Sequence, residues 1–154
     1  MSPSIQITRY PYEEPYHLNL RLAATNGRVC GNLEYYCNAS DLTSLSQKLA
    51  AFSGHQGDEI VYQLGSEKTE DRFAFFLSLK FRALTKRGKC VVVIRLNNNQ
   101  AVPEREVTEF CIEAEVPAIN RLGNLLAEFG RLEHRVLKWT LQDGELGNED
   151  SEPT

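Results

Sequence analysis

Two runs of alternating apolar and polar residues, on either side of Asn26-Gly27, constrain the fold of this chain more than any other feature. Alternation with a period of two is typical of a strand with one buried face. Asn-Gly favours a two-residue type I′ turn, in which both central residues need positive φ. Such a turn would place Leu20 opposite Leu33 in the core and His17 opposite Tyr36 on the outer face. Pattern and turn chemistry therefore predict the same β-hairpin.

Further periodic segments predict two helices and additional strands. One helix, capped by Ser40, carries leucines at helical spacing and ends before Gly54; a second begins at Pro117 and ends at Gly130. Gly123 lies in the middle of the second helix, where glycine is unfavourable, so we expect another backbone to approach closely there. The alternating segments outside the hairpin are 4–9, 58–64, 72–84, 90–96, 105–116 and 134–141.

The order of these elements, β-β-β-α-β-β-β-β-α-β, defines the predicted fold class. The helices do not alternate regularly with the strands, and adjacent strands are joined by short loops, so we expect an α+β fold. We predict one large, mainly antiparallel sheet with two amphipathic helices packed on one face. In the central part of that sheet, an even number of residues in the loop between the segments 72–84 and 90–96 would pair Phe81 with Ile94.

Length and charge define the expected domain and its environment. A chain of 154 residues predicts a single domain, which we place at 1–141. Residues 142–154 hold five acidic residues and no Lys or Arg, which predicts a disordered acidic tail, either a solubilising terminus or an arm for a basic partner. The start of the chain lacks the features of a secretory signal, and the longest apolar stretch, 90–94, is far too short to span a bilayer. We therefore expect a cytoplasmic protein without a membrane partner.

The motifs that carry catalysis or hold cofactors are absent from this sequence. It contains no C-x-x-C pair, no P-loop, no G-x-G-x-x-G, no H-E-x-x-H and no G-x-S-x-G. Its four cysteines fit the packing of reduced thiols, with Cys37 and Cys90 facing inward and Cys30 and Cys111 facing outward. We expect no enzymatic activity, no metal and no cofactor.

Outward positions on the central strands are the candidate partner surface. They combine large apolar side chains with basic ones. Four large apolar side chains, those of Phe76, Leu84, Val91 and Val93, are too many to leave exposed on a solvated face. Either the segment 10–16 with its tyrosines folds across them, or a second chain does, which would be a homodimer partner or another protein. The candidate partner-facing residues are Phe76, Lys80, Arg82, Leu84, Val91, Val93, Arg95, Tyr10, Tyr12 and Tyr16.

The same surface could in principle bind a single nucleic-acid strand, because sheets do so with basic residues interleaved with aromatic ones. Two observations disfavour this partner. Glu109 and Glu113 are expected on the neighbouring strand, and without the acidic tail the chain carries a net charge of only about +1. We therefore do not expect nucleic acid to be bound.

Two features of the sequence carry a family resemblance. The first is the hairpin that ends in Leu33-Glu34-Tyr35-Tyr36-Cys37-Asn38, followed at once by a helix with Leu42, Leu45, Leu49 and Phe52. A long antiparallel run closed by a helix with Ile119 and Leu126 completes the pattern. Across 17–130 this arrangement resembles small bacterial immunity proteins of polymorphic and contact-dependent toxin systems, particularly the WapI-type immunity family. The resemblance implies a cytoplasmic bacterial protein that binds and blocks a cognate toxin without catalysis.

Several functions stay open at this stage. A non-enzymatic binding protein, with the immunity role as one form of it, fits a complete fold pattern that lacks catalytic motifs. A structural or regulatory subunit, or a small-ligand-binding protein that uses the concave side of a curved sheet, is the alternative. An enzyme with a site assembled from scattered residues is the third.

Overall fold

The computed structural model describes residues 2–149. The elements occur in the predicted order, with one additional strand at the end. They are β1 (Ser4–Tyr10), β2 (His17–Thr25), β3 (Cys30–Asn38), α1 (Ala39–Ala50), β4 (Glu59–Gly65), β5 (Phe76–Ala83), β6 (Lys89–Asn97), β7 (Val107–Glu115), α2 (Val116–Phe129), β8 (Val136–Thr140) and β9 (Gly144–Gly147). Within this described part of the chain, neither helix has the length and apolar character needed to cross a bilayer.

The strands are divided between two antiparallel sheets. Sheet A has the order β3-β2-β1-β8-β9, and sheet B has the order β4-β5-β6-β7. The predicted α+β class is confirmed, but the prediction of one large sheet is wrong. The reason is that β8 returns to pair with β1, placing Trp139 opposite Ile5, instead of extending sheet B. Two smaller sheets can bury their inner faces against a shared core, whereas a large twisted sheet tends to curl or split.

The inner faces of both sheets and the two helices enclose one apolar core. Its largest fully buried side chains include Trp139, Tyr35, Phe81 and Phe129. The indole Nε1 of Trp139 donates to the carbonyl oxygen of Ala118 at 2.8 Å, so the one polar atom of this buried ring has a partner. This bond ties β8 to the first turn of α2.

The two helices are in close contact at Gly123. A Cβ atom at this position would lie 2.4 Å from the backbone nitrogen of Ala50 and 2.8 Å from the carbonyl oxygen of Ser46. The predicted close approach of another backbone is therefore confirmed. Asn120 Nδ2 strengthens the same contact, because it donates to the carbonyl oxygens of Leu49 at 3.0 Å and Phe52 at 2.9 Å, where α1 ends.

The β2–β3 hairpin is present, but its predicted register is wrong by two residues. Leu20 lies opposite Tyr35, and His17 lies opposite Asn38 and not Tyr36. The loop is longer than a two-residue turn because Asn26 Oδ1 accepts the backbone N–H groups of Arg28 and Val29, each at 2.9 Å. A shift of two residues keeps every side chain on its predicted face.

Similar corrections apply to β5 and to the start of α1. Phe81 lies opposite Val92 and not Ile94, again a shift of two residues that preserves the faces. The first helix begins earlier than expected, with Asn38 as its N-cap instead of Ser40. The backbone N–H of Asn38 donates to Asp41 Oδ2 at 3.2 Å, which is one half of a capping box.

Strand β9 lies within the segment 142–154 that we expected to be disordered. Leu146 lies opposite Leu137 of β8, and a Cβ atom at Gly144 would be 2.4 Å from Leu125 Cδ1, so this strand packs closely on α2. The prediction of disorder is therefore wrong for Gly144–Gly147. The last residues of the predicted tail, 150–154, lie outside the described residues.

The four cysteines are free thiols whose positions match their predicted faces. Cys37 and Cys90 are buried, and Cys30 and Cys111 are exposed. Burial raises the pKa of the Cys37 thiol to about 11, and it also raises the pKa of the Cys90 thiol. Both buried thiols therefore stay protonated near neutral pH, which favours packing over nucleophilic reactivity.

The contact between the helices predicts that Gly123→Ala destabilises the protein although alanine is the better helix former. The added methyl group meets backbone atoms that cannot move away independently, and overpacking of this kind lowers the free energy of unfolding by about 1–3 kcal/mol. Urea unfolding measures the change. Gly147→Ala is the control, because a Cβ atom there meets nothing within 4 Å. A Gly123→Ala variant as stable as the wild type would contradict the close contact.

Candidate functional site

The strands of sheet B turn their alternate residues away from the core and form an outer face. As predicted, Lys80, Arg82 and Arg95 share this face with Phe76. In the strand register, Lys80 lies opposite Val93 and Arg82 opposite Val91. The outward residues of the two central strands are Phe76, Ser78, Lys80, Arg82, Lys89, Val91, Val93, Arg95 and Asn97.

The segment 10–16 does not cover this outer face. Tyr12 and Tyr16 are 76% and 78% exposed, so neither ring is packed over the valines. Tyr10 stacks on Tyr12 instead, with ring centroids 6.2 Å apart. The buried guanidinium of Arg9 pairs with Glu14 and holds the start of the segment at the end of sheet A.

The valines are shielded by their neighbours on the adjacent strands. Val91 is buried, and it lies between Arg82 and Glu113 in the register of the sheet. Long charged side chains of this kind cover apolar surface with their aliphatic stems. Leu84, beyond the end of β5, is exposed. That these outward residues contact a partner stays a prediction.

Carboxylates pair with two of the cations on the outer face, Arg82 and Arg95. Arg82 Nε lies 2.5 Å from Glu59 Oε2, and Arg95 Nη1 lies 3.7 Å from Glu109 Oε1. Glu109 and Glu113 therefore occupy the neighbouring strand, as the sequence predicted. The surplus of positive charge lies elsewhere, at one end of sheet B.

At that end is a cavity of about 510 Å³, which we term the basic pocket. It is formed where the β4–β5 loop and the β6–β7 loop meet, beside the C-terminal end of β6. The residues that line it are Glu67, Lys68, Thr69, Arg72, Phe73, Arg95, Asn97, Asn99 and Arg105. Four of these side chains are basic and one is acidic, and the nearby acidic residues Glu70, Asp71, Glu104 and Glu106 do not line the pocket.

Asn99 holds the two loops of the basic pocket together. Its Nδ2 donates to the carbonyl oxygens of Ser66 at 2.8 Å and Phe73 at 3.0 Å. The β4–β5 loop leaves the strand at Gly65, which has a φ of +79° and would place a Cβ atom 2.0 Å from the carbonyl oxygen of Phe75. Only glycine fits this conformation and this contact, so Gly65 sets the path of the loop that carries the basic residues.

An ion pair between Arg95 and Glu67 lies in the basic pocket. Arg95 Nη2 is 2.9 Å from Glu67 Oε2, and Asn97 Nδ2 donates to the same oxygen at 2.6 Å. The hydrogen bond from Arg95 lowers the pKa of Glu67 below its usual range, and the same bond raises the pKa of Arg95. Glu67 is therefore ionised near neutral pH and neutralises Arg95.

The other three basic residues of the pocket form no close ion pair, and Arg105 acts on Glu67 only at longer range, where its charge also lowers the pKa of that carboxyl group. Within residues 2–149, no ion pair shorter than 4.0 Å involves Lys68, Arg72 or Arg105. Their charges converge on one cavity that carries a surplus of about three positive charges. Guanidinium and ammonium groups arranged in this way attract phosphate or carboxylate anions.

Phe73 stands at the rim of the basic pocket and is 52% exposed. The alternating segment 72–84 predicted a strand that includes Phe73, which is wrong because β5 begins only at Phe76. Lys68, Arg72 and Arg105 were not among the predicted site residues at all. The signal that points to them is topological: in an antiparallel meander, the β4–β5 and β6–β7 loops lie at the same end of the sheet.

The predicted pair of His17 and Tyr36 is not formed. His17 Nδ1 lies 3.2 Å from Asn38 Oδ1, and Tyr36 lies opposite Asn19 in the register of sheet A. Within the described part of the chain, no three His, Cys, Asp or Glu residues are grouped in a way that could hold a metal ion.

Comparisons with known proteins identify similar structures but no family. No protein-family model matches the chain, and no curated protein matches it. The structure of WHY3 from Arabidopsis thaliana is similar over 84% of this chain and 82% of its own, with 10% sequence identity and a TM-score of 0.44. The plant transcriptional regulator PBF-2 is similar over 86% of this chain and 81% of its own, with 10% identity and a TM-score of 0.41.

The expectation that nucleic acid is not a partner is corrected, because the charge argument behind it fails: four basic residues and one acidic residue line a single cavity. The physical error lay in treating charge as an average over the chain. The structure pairs Arg82 and Arg95 of the outer face with carboxylates and brings Lys68, Arg72 and Arg105, which form no ion pair shorter than 4.0 Å within residues 2–149, to the basic pocket.

The ion pair between Glu67 and Arg95 predicts a pH-dependent difference between the wild type and Glu67→Gln. Because the folded protein lowers the pKa of this carboxyl group, its ionised form stabilises the fold above its usual pKa of 4.5. That contribution is lost as the pH falls through the lower pKa of the folded state. In urea unfolding, we expect Glu67→Gln to be less stable at neutral pH and the difference to shrink below pH 4.5.

The control for this experiment is Glu70→Gln, which removes an exposed carboxylate on the same loop. It should leave the free energy of unfolding close to that of the wild type at neutral pH. If Glu67→Gln and Glu70→Gln behave alike at every pH, the ion pair does not stabilise the fold.

Proposed function

We propose that this chain is a non-catalytic protein that binds single-stranded nucleic acid through the basic pocket and the adjoining outer face of sheet B. The observation that carries the proposal is the convergence of Lys68, Arg72 and Arg105 on one cavity with an exposed aromatic ring at its rim. None of the three forms an ion pair shorter than 4.0 Å within residues 2–149. Phosphate groups provide the negative charge that such a cavity attracts, and they dominate the affinity of nucleic-acid binding.

A chain of phosphates fits this surface better than a single small anion does. The pocket is continuous with the outer face, because Arg95 and Asn97 line it and also belong to β6. From Asn97 the face continues across to Phe76 and then along β5 to Lys80. At a rise of about 3.3 Å per residue, this adds roughly 13 Å of surface with an aromatic group and a further cation.

The exposed ring of Phe73 favours a single strand over a duplex. Unpaired bases can stack on an aromatic side chain, and this contact tolerates any sequence because every base has a π face. In a duplex those faces are already stacked on neighbouring base pairs. DNA and RNA strands share the phosphates and the base faces on which the proposal rests, so both are compared in the test.

The immunity role implied by the family resemblance stays a prediction, as do the bacterial origin and the cytoplasmic location that accompany it. No contact within residues 2–149 favours a toxin over another partner. The basic pocket, in contrast, gives a specific reason to propose a polyanion.

Removing single cations from the basic pocket should weaken binding in a salt-dependent manner. We expect Lys68→Gln and Arg105→Gln each to lower the affinity for labelled oligo(dT) and oligo(rU), measured by fluorescence anisotropy. Each lost phosphate contact should reduce the slope of log K against log salt concentration by about 0.7. The matched control is Arg28→Gln in the β2–β3 loop, which removes the same charge from an exposed position away from the pocket.

Two results would contradict the proposed function. One is the absence of binding to either strand at low salt. The other is an equal loss of affinity in Arg28→Gln and in the pocket variants, which would mean that only net charge matters. Tighter binding to a duplex of the same length would contradict the single-strand assignment.

A further inference from the structure

A second cleft opens on the other side of Phe73, and we term it the aromatic cleft. Its volume is about 330 Å³. It lies between edge strand β3 of sheet A and edge strand β4 of sheet B, which are not hydrogen-bonded to each other. Phe73 lines both this cleft and the basic pocket, so the two cavities share a wall.

Three aromatic side chains line the aromatic cleft. Tyr36, on β3, is 54% exposed, and Phe73 presents about half of its surface to solvent. Phe75 is held in place by an edge-to-face contact with the buried ring of Tyr35, with centroids 6.2 Å apart. Because the contact with Tyr35 fixes the ring of Phe75, the cleft offers a preformed apolar surface to a flat ligand.

The charge of the aromatic cleft is opposite to that of the basic pocket. Its lining includes the carboxylates of Glu13 and Asp41, and its basic group is the imidazole of His17. A phosphate group would be repelled here and attracted on the other side of Phe73. The basic pocket therefore suits the anionic phosphate of a nucleotide, and the aromatic cleft suits its flat, uncharged base.

Polar groups beside the aromatic rings could bond to the edge of a base. Asn38 Oδ1 lies 3.2 Å from His17 Nδ1, which leaves the amide nitrogen of Asn38 and the second ring nitrogen of His17 as further hydrogen-bonding groups. Every base edge carries both donors and acceptors, so groups of this type suit it.

We propose that the aromatic cleft binds a nucleobase of the strand whose phosphates lie in the basic pocket, with Phe73 between them. This inference rests on the proposed function and adds to it a site for the base. Binding then has two separable parts: an electrostatic part in the basic pocket and a stacking part in the aromatic cleft.

The test compares an oligonucleotide with an abasic strand of the same length and the same number of phosphates. We expect the wild type to bind the base-bearing strand at least about fivefold more tightly, because stacking on one aromatic residue has an effect of this order. Tyr36→Ala should lose this preference and keep the salt dependence. Tyr36→Phe should retain both, because it preserves the ring.

The matched control is Tyr12→Ala, which removes another exposed tyrosine that does not line the cleft. It should bind both strands as the wild type does. A strand with one 2-aminopurine gives an independent signal: its fluorescence should be quenched on binding to the wild type and much less on binding to Tyr36→Ala.

The outcomes separate this inference from the proposed function. Equal, salt-dependent binding of base-bearing and abasic strands would overturn the base site and stacking on Phe73, and would leave the binding of phosphates in the basic pocket intact. An unchanged preference in Tyr36→Ala would also overturn the base site. Failure to bind either strand would overturn both. Competition by a free nucleoside monophosphate at the same phosphate concentration would overturn the assignment to a strand.

Discussion

The antiparallel pairing of β8 with β1 is the interaction on which the rest of the structure depends. It places Trp139 opposite Ile5 and Leu137 opposite Ile7, and so returns the end of the chain to the first sheet. Because β8 is used in sheet A, the four strands β4–β7 form a separate sheet. The division leaves β3 and β4 as neighbouring edges, and the aromatic cleft lies between them.

The same pairing positions the helices. Trp139 is bonded to the first turn of α2, and Arg121 Nη2 donates to the carbonyl oxygen of Thr140 at 2.6 Å. With α2 fixed on β8, Gly123 meets the last turns of α1 without an intervening side chain. The helices thus occupy the inner side of both sheets.

The features that the sequence predicted correctly are those decided by side-chain periodicity. Alternation placed Lys80 and Arg95 on one face although the predicted register was wrong, since a shift of two residues does not change faces. The close approach of another backbone at Gly123 could be predicted because glycine is unfavourable in the interior of a helix. Register itself could not be predicted, because the β2–β3 loop is set by hydrogen bonds of Asn26 to the backbone.

The basic pocket was not predictable for a different reason. Its cations come from two loops that are far apart in sequence, and loop residues carry no periodic pattern. Phe73 was assigned to a strand because apolar alternation continues through 73–83, but its exposed ring lies before the strand begins. Averaging charge over the chain then concealed the local surplus. Long-range assembly of loop residues depends on the sheet topology, which was the part of the fold predicted least well.

The ion pair of Glu67 with Arg95 limits how the basic pocket can act. Arg95 is held by Glu67 on one side and faces Glu109 on the other, so its charge is compensated before any ligand arrives. In the proposed binding mode, a phosphate therefore contacts Lys68, Arg72 and Arg105, which project from the loops. Three such contacts correspond to a slope of log K against log salt concentration of about −2 for a single strand. Electrostatic attraction of this size is modest, so the proposed binding mode requires stacking in the aromatic cleft to supply a substantial share of the affinity.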